Sequence, residues 1–245
     1  MNTGLPAIAP VRLPTRLRAL VSVRDVAEAL QAAAAGVDTI DLKDPSDGAL
    51  GGLPLGVIAD IVAALRARTP SASISATVGD WPAAACAAIQ RRVERVAACG
   101  VDQVKVGIPM HDPAAARDLL DALAGQARAS GIAIVPVLIA DDGLAPACVD
   151  AAAAGGFPAV MLDTADKRGG SLLQRRPAGE LAAWVTALRR GGGQVGLAGA
   201  LMPSDLPALR ALAPDYAGFR SAVCAGDRRL GLDPDRLAAL LAALG

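Results

Sequence analysis

Three observations predict a single (β/α)8 barrel. The chain has 245 residues, close to the roughly 250 typical of such barrels. From residue 18 onward, short β-branched runs alternate eight times with Ala-rich helical stretches. Several of these stretches open on Pro in the first turn and many close near Gly, the expected start and stop asymmetry. An open doubly wound sheet is the alternative fold. It would carry a glycine fingerprint after its first strand, and Val23-Arg24-Asp25 is not one.

The elements follow in order. A Pro-rich leader occupies residues 1–15 and reads as a flexible tail; residues 16–245 form the barrel domain. Apolar and β-branched runs place strands at Arg18–Val23, Thr39–Lys43, Ser73–Val78, Gln103–Ile108, Ala133–Ile139, Ala159–Asp163, Gln194–Ala198 and Ala217–Ala222. Helical patterns lie between and after them at Asp25–Ala35, Leu55–Arg68, Pro82–Ala98, Pro113–Ser130, Leu144–Ala154, Pro177–Arg190, Pro203–Leu212 and Pro234–Leu244. Strands that each lead into a helix, with little chain left over, wind into a parallel barrel.

Composition excludes several function classes. Lys+Arg and Asp+Glu are both 24, giving zero formal net charge, and aromatic residues are 2% of the chain. Neither nucleic-acid binding nor attraction to an anionic membrane has a basis there. The apolar run at Ala133–Ala140 is far too short to span a bilayer, and the N-terminus lacks an uninterrupted signal-peptide core. The chain therefore reads as soluble and cytoplasmic, and as compatible with assembly into a homo-oligomer. Cys86, Cys99, Cys148 and Cys224 show no CxxC spacing, and His111 is the single histidine. That argues for free thiols and against a zinc site or a nucleophile–histidine arrangement.

The informative asymmetry lies among the cations. Of the 24 Lys and Arg residues only Lys43, Lys105 and Lys167 are lysines. Arginine stays charged at any accessible pH, whereas lysine can become a neutral amine. All three lysines fall on even-numbered strands or in the loops at their C-terminal ends, the end of a barrel that carries its active site. Strand alternation puts Asp41 and Lys43 on one face, and Asp163 ends the sixth strand four residues before Lys167. A lysine that attacks a carbonyl must be neutral, which costs about 4.6 kcal/mol at pH 7 for an ordinary amine. A second ammonium about 6 Å away supplies roughly 2.8 kcal/mol of that at an effective dielectric of 20, and burial supplies the remainder. Clustered lysines thus suit imine chemistry, with Asp41 and Asp163 orienting them. A buried ion pair without chemistry is the plain alternative for Asp41.

The last two strands of a barrel commonly bind phosphate. Here they lead into Gly199 and Ala200, and into Arg220 and Ser221. Small residues let backbone N–H groups approach an anion, and Arg220 is a bidentate donor. Asp227-Arg228-Arg229 reads as a solvated loop, with use by a second phosphate as the alternative.

These stretches together resemble the (5-formylfuran-3-yl)methyl phosphate synthase family, also called 4-(hydroxymethyl)-2-furancarboxaldehyde-phosphate synthases. The resemblance rests on Ile40-Asp41-Leu42-Lys43-Asp44-Pro45 with Gly48-Ala49-Leu50-Gly51, on Ser75-Ala76-Thr77-Val78-Gly79-Asp80, and on Val104-Lys105-Val106-Gly107. It extends to Met161-Leu162-Asp163-Thr164-Ala165 with Lys167, to Leu197-Ala198-Gly199, and to Arg220 with Ala222, Cys224 and Gly226-Asp227-Arg228. The leader is additional to the family pattern, and the loop Pro109–Pro113 is shorter. The resemblance implies a lyase that condenses two glyceraldehyde 3-phosphates, early in the biosynthesis of methanofuran-type one-carbon carriers. It implies Lys43 as the Schiff-base residue and Lys105 as general base, assisted by Asp41, Asp163 and Lys167, with neither cofactor nor metal. An imine-forming sugar-phosphate aldolase and a non-catalytic phosphosugar-binding regulatory barrel are the alternatives. Phosphate anchoring alone would not favour lysine over arginine, which weighs against the second.

Overall fold

The computed structural model describes residues 16–245; the leader at 1–15 lies outside the described residues. Eight parallel strands close into a barrel in sequence order. They are β1 (Arg18–Val23), β2 (Thr39–Leu42), β3 (Ser73–Thr77), β4 (Gln103–Ile108), β5 (Ile134–Ile139), β6 (Ala159–Asp163), β7 (Gln194–Leu197) and β8 (Tyr216–Phe219). Closure comes from β1, which pairs with both β2 and β8, Val21 lying opposite Ile40 on one side and Phe219 on the other.

The outer layer holds α1 (Val26–Ala34), α2 (Leu55–Arg68), α3 (Cys86–Ala97), α4 (Pro113–Ser130), α5 (Pro146–Ala154), α6 (Leu172–Arg175), α7 (Ala178–Arg189), α8 (Leu206–Leu212) and α9 (Pro234–Leu244). Local chemistry explains several starts. The Asp25 side chain accepts from the Glu28 N–H, Asp112 from Ala115, and Asp233 from Asp235 and Arg236, the capping that offsets unpaired N–H groups at a helix start. Pro occupies the first turn of α4, α5, α8 and α9, where its missing N–H costs nothing. Between helices and strands lies the main core, including Ile40, Ile58, Ile74, Ile89, Leu119 and Leu162.

A smaller cluster fills the barrel itself: Leu20, Val135, Val137, Met161 and Tyr216 from the strands, joined by Ala49 and Leu50 from the loop after β2. That loop folds back over the C-terminal mouth. The Asp44 N–H donates to the Gly51 carbonyl at 2.8 Å, and the Thr77 hydroxyl donates to the same carbonyl at 2.9 Å. The Asp80 carboxylate accepts from the Ala49 and Leu50 N–H groups at 2.8 and 3.2 Å. Leu50 is fully buried. A Cβ at position 107 of β4 would lie 2.8 Å from its Cδ1, so Gly107 makes room for the plug.

Strand and helix positions match the sequence reading within a few residues, with two differences. The four-residue α6 is additional. Strand β8 stops at Phe219, and Ser221–Val223 form a 3-10 turn, so Arg220 and Ser221 stand beyond the ladder. No described helix is long and apolar enough to cross a membrane.

Candidate active site

One cavity at the C-terminal mouth brings together Lys43, Lys105, Asp163, Lys167, Gly199, Ala200, Arg220, Ser221 and Arg228. Its free volume is about 30 Å³, room for ordered water.

Strand register builds the carboxylate at its base. Asp41 lies level with Ser22 on β1 and with Ser75 on β3. Both hydroxyls donate to it, at 3.1 and 2.7 Å, and the Lys105 Nζ lies 3.1 Å from its Oδ2. Asp41 has no solvent exposure and Lys105 only 2%. A buried charge needs such a full set of partners. Asp41 therefore directly holds Lys105 rather than Lys43, the residue beside it on its own strand face. Sequence alone assigns no role to Ser22 or Ser75; the signal for them is a polar residue level with Asp41 on each adjacent strand.

Lys167 is ion-paired with Asp163, which also accepts from the Thr164 N–H at 2.7 Å. Burial works to raise the Asp163 pKa, but Lys167 and Lys43 outweigh it and hold the carboxyl below its ordinary value.

Lys43 is the buried lysine without a carboxylate of its own. Its Nζ donates to the Ala49 carbonyl at 3.3 Å. Its pKa falls to about 7, chiefly through burial; Lys167 and Lys105 push the same way, and Asp163 and Asp41 oppose them. A neighbouring ammonium about 6 Å away is expected from sequence to contribute the larger share. The structure reverses that order, because each neighbouring lysine brings a carboxylate with it.

On the β7 side, Gly199 and Ala200 both take left-handed backbone angles, φ 100° and 49°. For alanine this costs about 1–2 kcal/mol. Among the described residues neither N–H donates to a protein acceptor, so two adjacent amides line the cavity without a partner. A Cβ on residue 199 would come within 2.9 Å of the Thr164 hydroxyl oxygen.

Arg220, expected as an anion donor, spends its donors on protein groups instead. Its guanidinium clasps Glu28 at 2.5 and 3.1 Å and donates to the Ser22, Arg228 and Leu230 carbonyls at 3.0, 2.8 and 2.7 Å. Five contacts use the five N–H donors of an arginine. Arg220 thus borders the cavity as a fastener of the 224–232 loop, with no donor free for a phosphate. The partner that takes it, Glu28, is distant in sequence and was not legible there.

A closed (β/α)8 barrel with three lysines lining one cavity at its C-terminal mouth defines the class of the protein: a barrel of the enzyme type. The sequence profile described as 4-HFC-P synthase matches residues 19–241. A Methylorubrum extorquens protein is 41% identical over 230 residues, 94% of this chain and 92% of its own length; it bears the (5-formylfuran-3-yl)methyl phosphate synthase name provisionally. The protein of that name from Archaeoglobus fulgidus is 34% identical over 226 residues, 86% of this chain and 92% of its own. Among solved structures, Thermus thermophilus phosphoribosyl anthranilate isomerase superposes with a TM-score of 0.64 at 19% identity, covering 93% of this chain and 98% of that one. A 3-hexulose-6-phosphate synthase superposes at 0.59 with 18% identity, covering 94% and 100%. These two show the fold alone. The chain belongs to the 4-HFC-P synthase family.

Proposed function

We propose that this protein condenses two molecules of glyceraldehyde 3-phosphate into (5-formylfuran-3-yl)methyl phosphate through a Schiff base on Lys43. The observation that carries the reading is the placement of Lys43: buried at the mouth, near neutral, and flanked by two lysine–carboxylate pairs. Family membership supports a furan phosphate product, and with it a phosphorylated substrate.

The Lys43 amine attacks the carbonyl of one triose phosphate, giving a carbinolamine. Lys105, ion-paired with Asp41, donates a proton to the departing hydroxyl, which leaves as water. The neutral Lys105 then takes the proton from the carbon beside the imine, and the electron pair moves into an enamine. The enamine carbon adds to the aldehyde of the second triose phosphate. Lys167 and Asp163 handle protons at that addition and in the later dehydration. Elimination of one phosphate, ring closure and loss of water yield the furan and release Lys43; mass balance requires one phosphate and two waters in all. The unpartnered amides of Gly199 and Ala200, with Ser221 beside them, receive a phosphate.

Incubation with glyceraldehyde 3-phosphate tests the reading directly. Mass spectrometry is expected to find the furan phosphate, with an equal amount of free phosphate. An aldol product that keeps both phosphates would instead indicate an aldolase, and binding without turnover would indicate a regulatory barrel.

A further inference from the structure

The cavity holds one cation that the reaction scheme leaves unused. Lys105 has Asp41, Lys167 has Asp163, and Arg220 has Glu28. Arg228 lines the same cavity, yet among the described residues it forms no ion pair. Its Nε is buried without a hydrogen-bond acceptor. A buried donor left unpaired costs on the order of 1–3 kcal/mol, more when charged, so such a group calls for a ligand. Burial, acting first, lowers its pKa despite the favourable field of Asp163.

Its mounting is specific. Arg220 grips the backbone carbonyls of Arg228 and Leu230, and Glu28 anchors Arg220 from α1. Cys224 bridges Leu232 across the base of the loop, and Arg229 is drawn away to Asp227 at 2.9 Å. Arg228 alone of this charged triplet lines the cavity, together with Gly199, Ala200 and Ser221.

We infer that Arg228 is the side-chain ligand for the phosphomonoester dianion of the substrate, completing the cradle formed by Gly199 and Ala200, while Arg220 is its positioning residue. This rests on the reading of the site as one that takes a triose phosphate. A planar guanidinium suits a phosphate bidentately, and the dianion supplies the acceptor that Nε lacks.

The test compares wild type, Arg228→Gln, Arg228→Lys and, as control, Arg229→Gln, each first checked for an unchanged melting temperature. Calorimetric titration with inorganic phosphate is expected to show at least tenfold weaker binding in Arg228→Gln, partial recovery in Arg228→Lys and no change in Arg229→Gln. Borohydride trapping at Lys43 separates binding from scaffolding. Arg228→Gln should need at least tenfold more glyceraldehyde 3-phosphate for half-maximal trapping, with trapping by unphosphorylated glyceraldehyde unchanged. Equal phosphate affinity in wild type and Arg228→Gln overturns the inference, as does an equal loss of trapping with both aldehydes. Arg228-dependent phosphate binding in a wild-type protein that makes no furan phosphate would sink the reaction assigned above and leave this site standing.

Discussion

The two sides of the barrel mouth handle charge in opposite ways. On the β2–β4–β6 side, Lys105 and Lys167 each have a carboxylate, and Lys43 is held close to neutrality by burial. On the β7–β8 side, among the described residues, Gly199 and Ala200 present amides without partners, and Arg228 presents a cation without an ion pair. Internally balanced charge suits groups that pass protons among themselves. Unbalanced positive charge suits an anion that comes from outside. On the function proposed above, the contrast divides the site into a proton-handling half and an anchoring half.

The division breaks most completely at Lys43. Lys43→Arg keeps a cation but provides no attacking amine, so turnover should fall at least about a thousandfold and the borohydride adduct should vanish. An adduct that survives, mapped by peptide mass, would move the nucleophile elsewhere. Asp41→Asn should come next. It leaves the Lys105 ammonium buried without its partner, a loss of about 3–5 kcal/mol in unfolding free energy, measured by urea denaturation. A loss well under 1 kcal/mol would mean that Lys105 is neutral in the folded protein.

Gly199→Ala probes the anchoring half. It places a Cβ where φ is 100° and the Thr164 hydroxyl oxygen lies 2.9 Å away, for a cost of about 1–3 kcal/mol. The Michaelis constant should rise more than kcat falls, because the phosphate amides shift while the lysines stay. A fall in kcat alone would join the two halves into one unit. The smallest effect is with pH. Lys43 must lose its proton to react, so kcat/KM should fall as pH drops through about 7, the value to which its pKa is lowered, and approach about tenfold per unit below it. The linkage runs the same way for stability. The unfolded chain binds the proton that folded Lys43 releases between about 7 and 10.5, so its burial costs most below pH 7 and nothing above pH 10.5. A flat kcat/KM between pH 5 and 8 would remove Lys43 as the titrating group.

The barrel and the clustering of the lysines at its mouth were legible because their signals are local. Pro and Gly mark element ends, and in a chain that uses arginine almost everywhere, three lysines on or just after even-numbered strands stand out. The anchoring half was harder to read. Arg220 closes β8 where a phosphate donor belongs, and only the fold shows that Glu28, 192 residues earlier in the chain, takes it. Arg228 sits between Asp227 and Arg229, a pattern that usually means a solvated turn; the direction of its side chain depends on a clamp assembled from three separate segments. Ser22 and Ser75 gained their part from register, and α6 is too short to display a helical period.

The lysines also make the protein a reporter of its own motion. Apart from the amino terminus, all its amines lie in one cavity, and Lys43 is 7% exposed beneath the loop plugged by Leu50. If access to Lys43 requires that loop to lift, an acylating reagent is expected to label Lys43 at a rate set by the loop's opening. Cleavage after lysine gives four fragments, 1–43, 44–105, 106–167 and 168–245. Each modified site fuses two of them, so a single gel distinguishes a captured Lys43 from a captured Lys105.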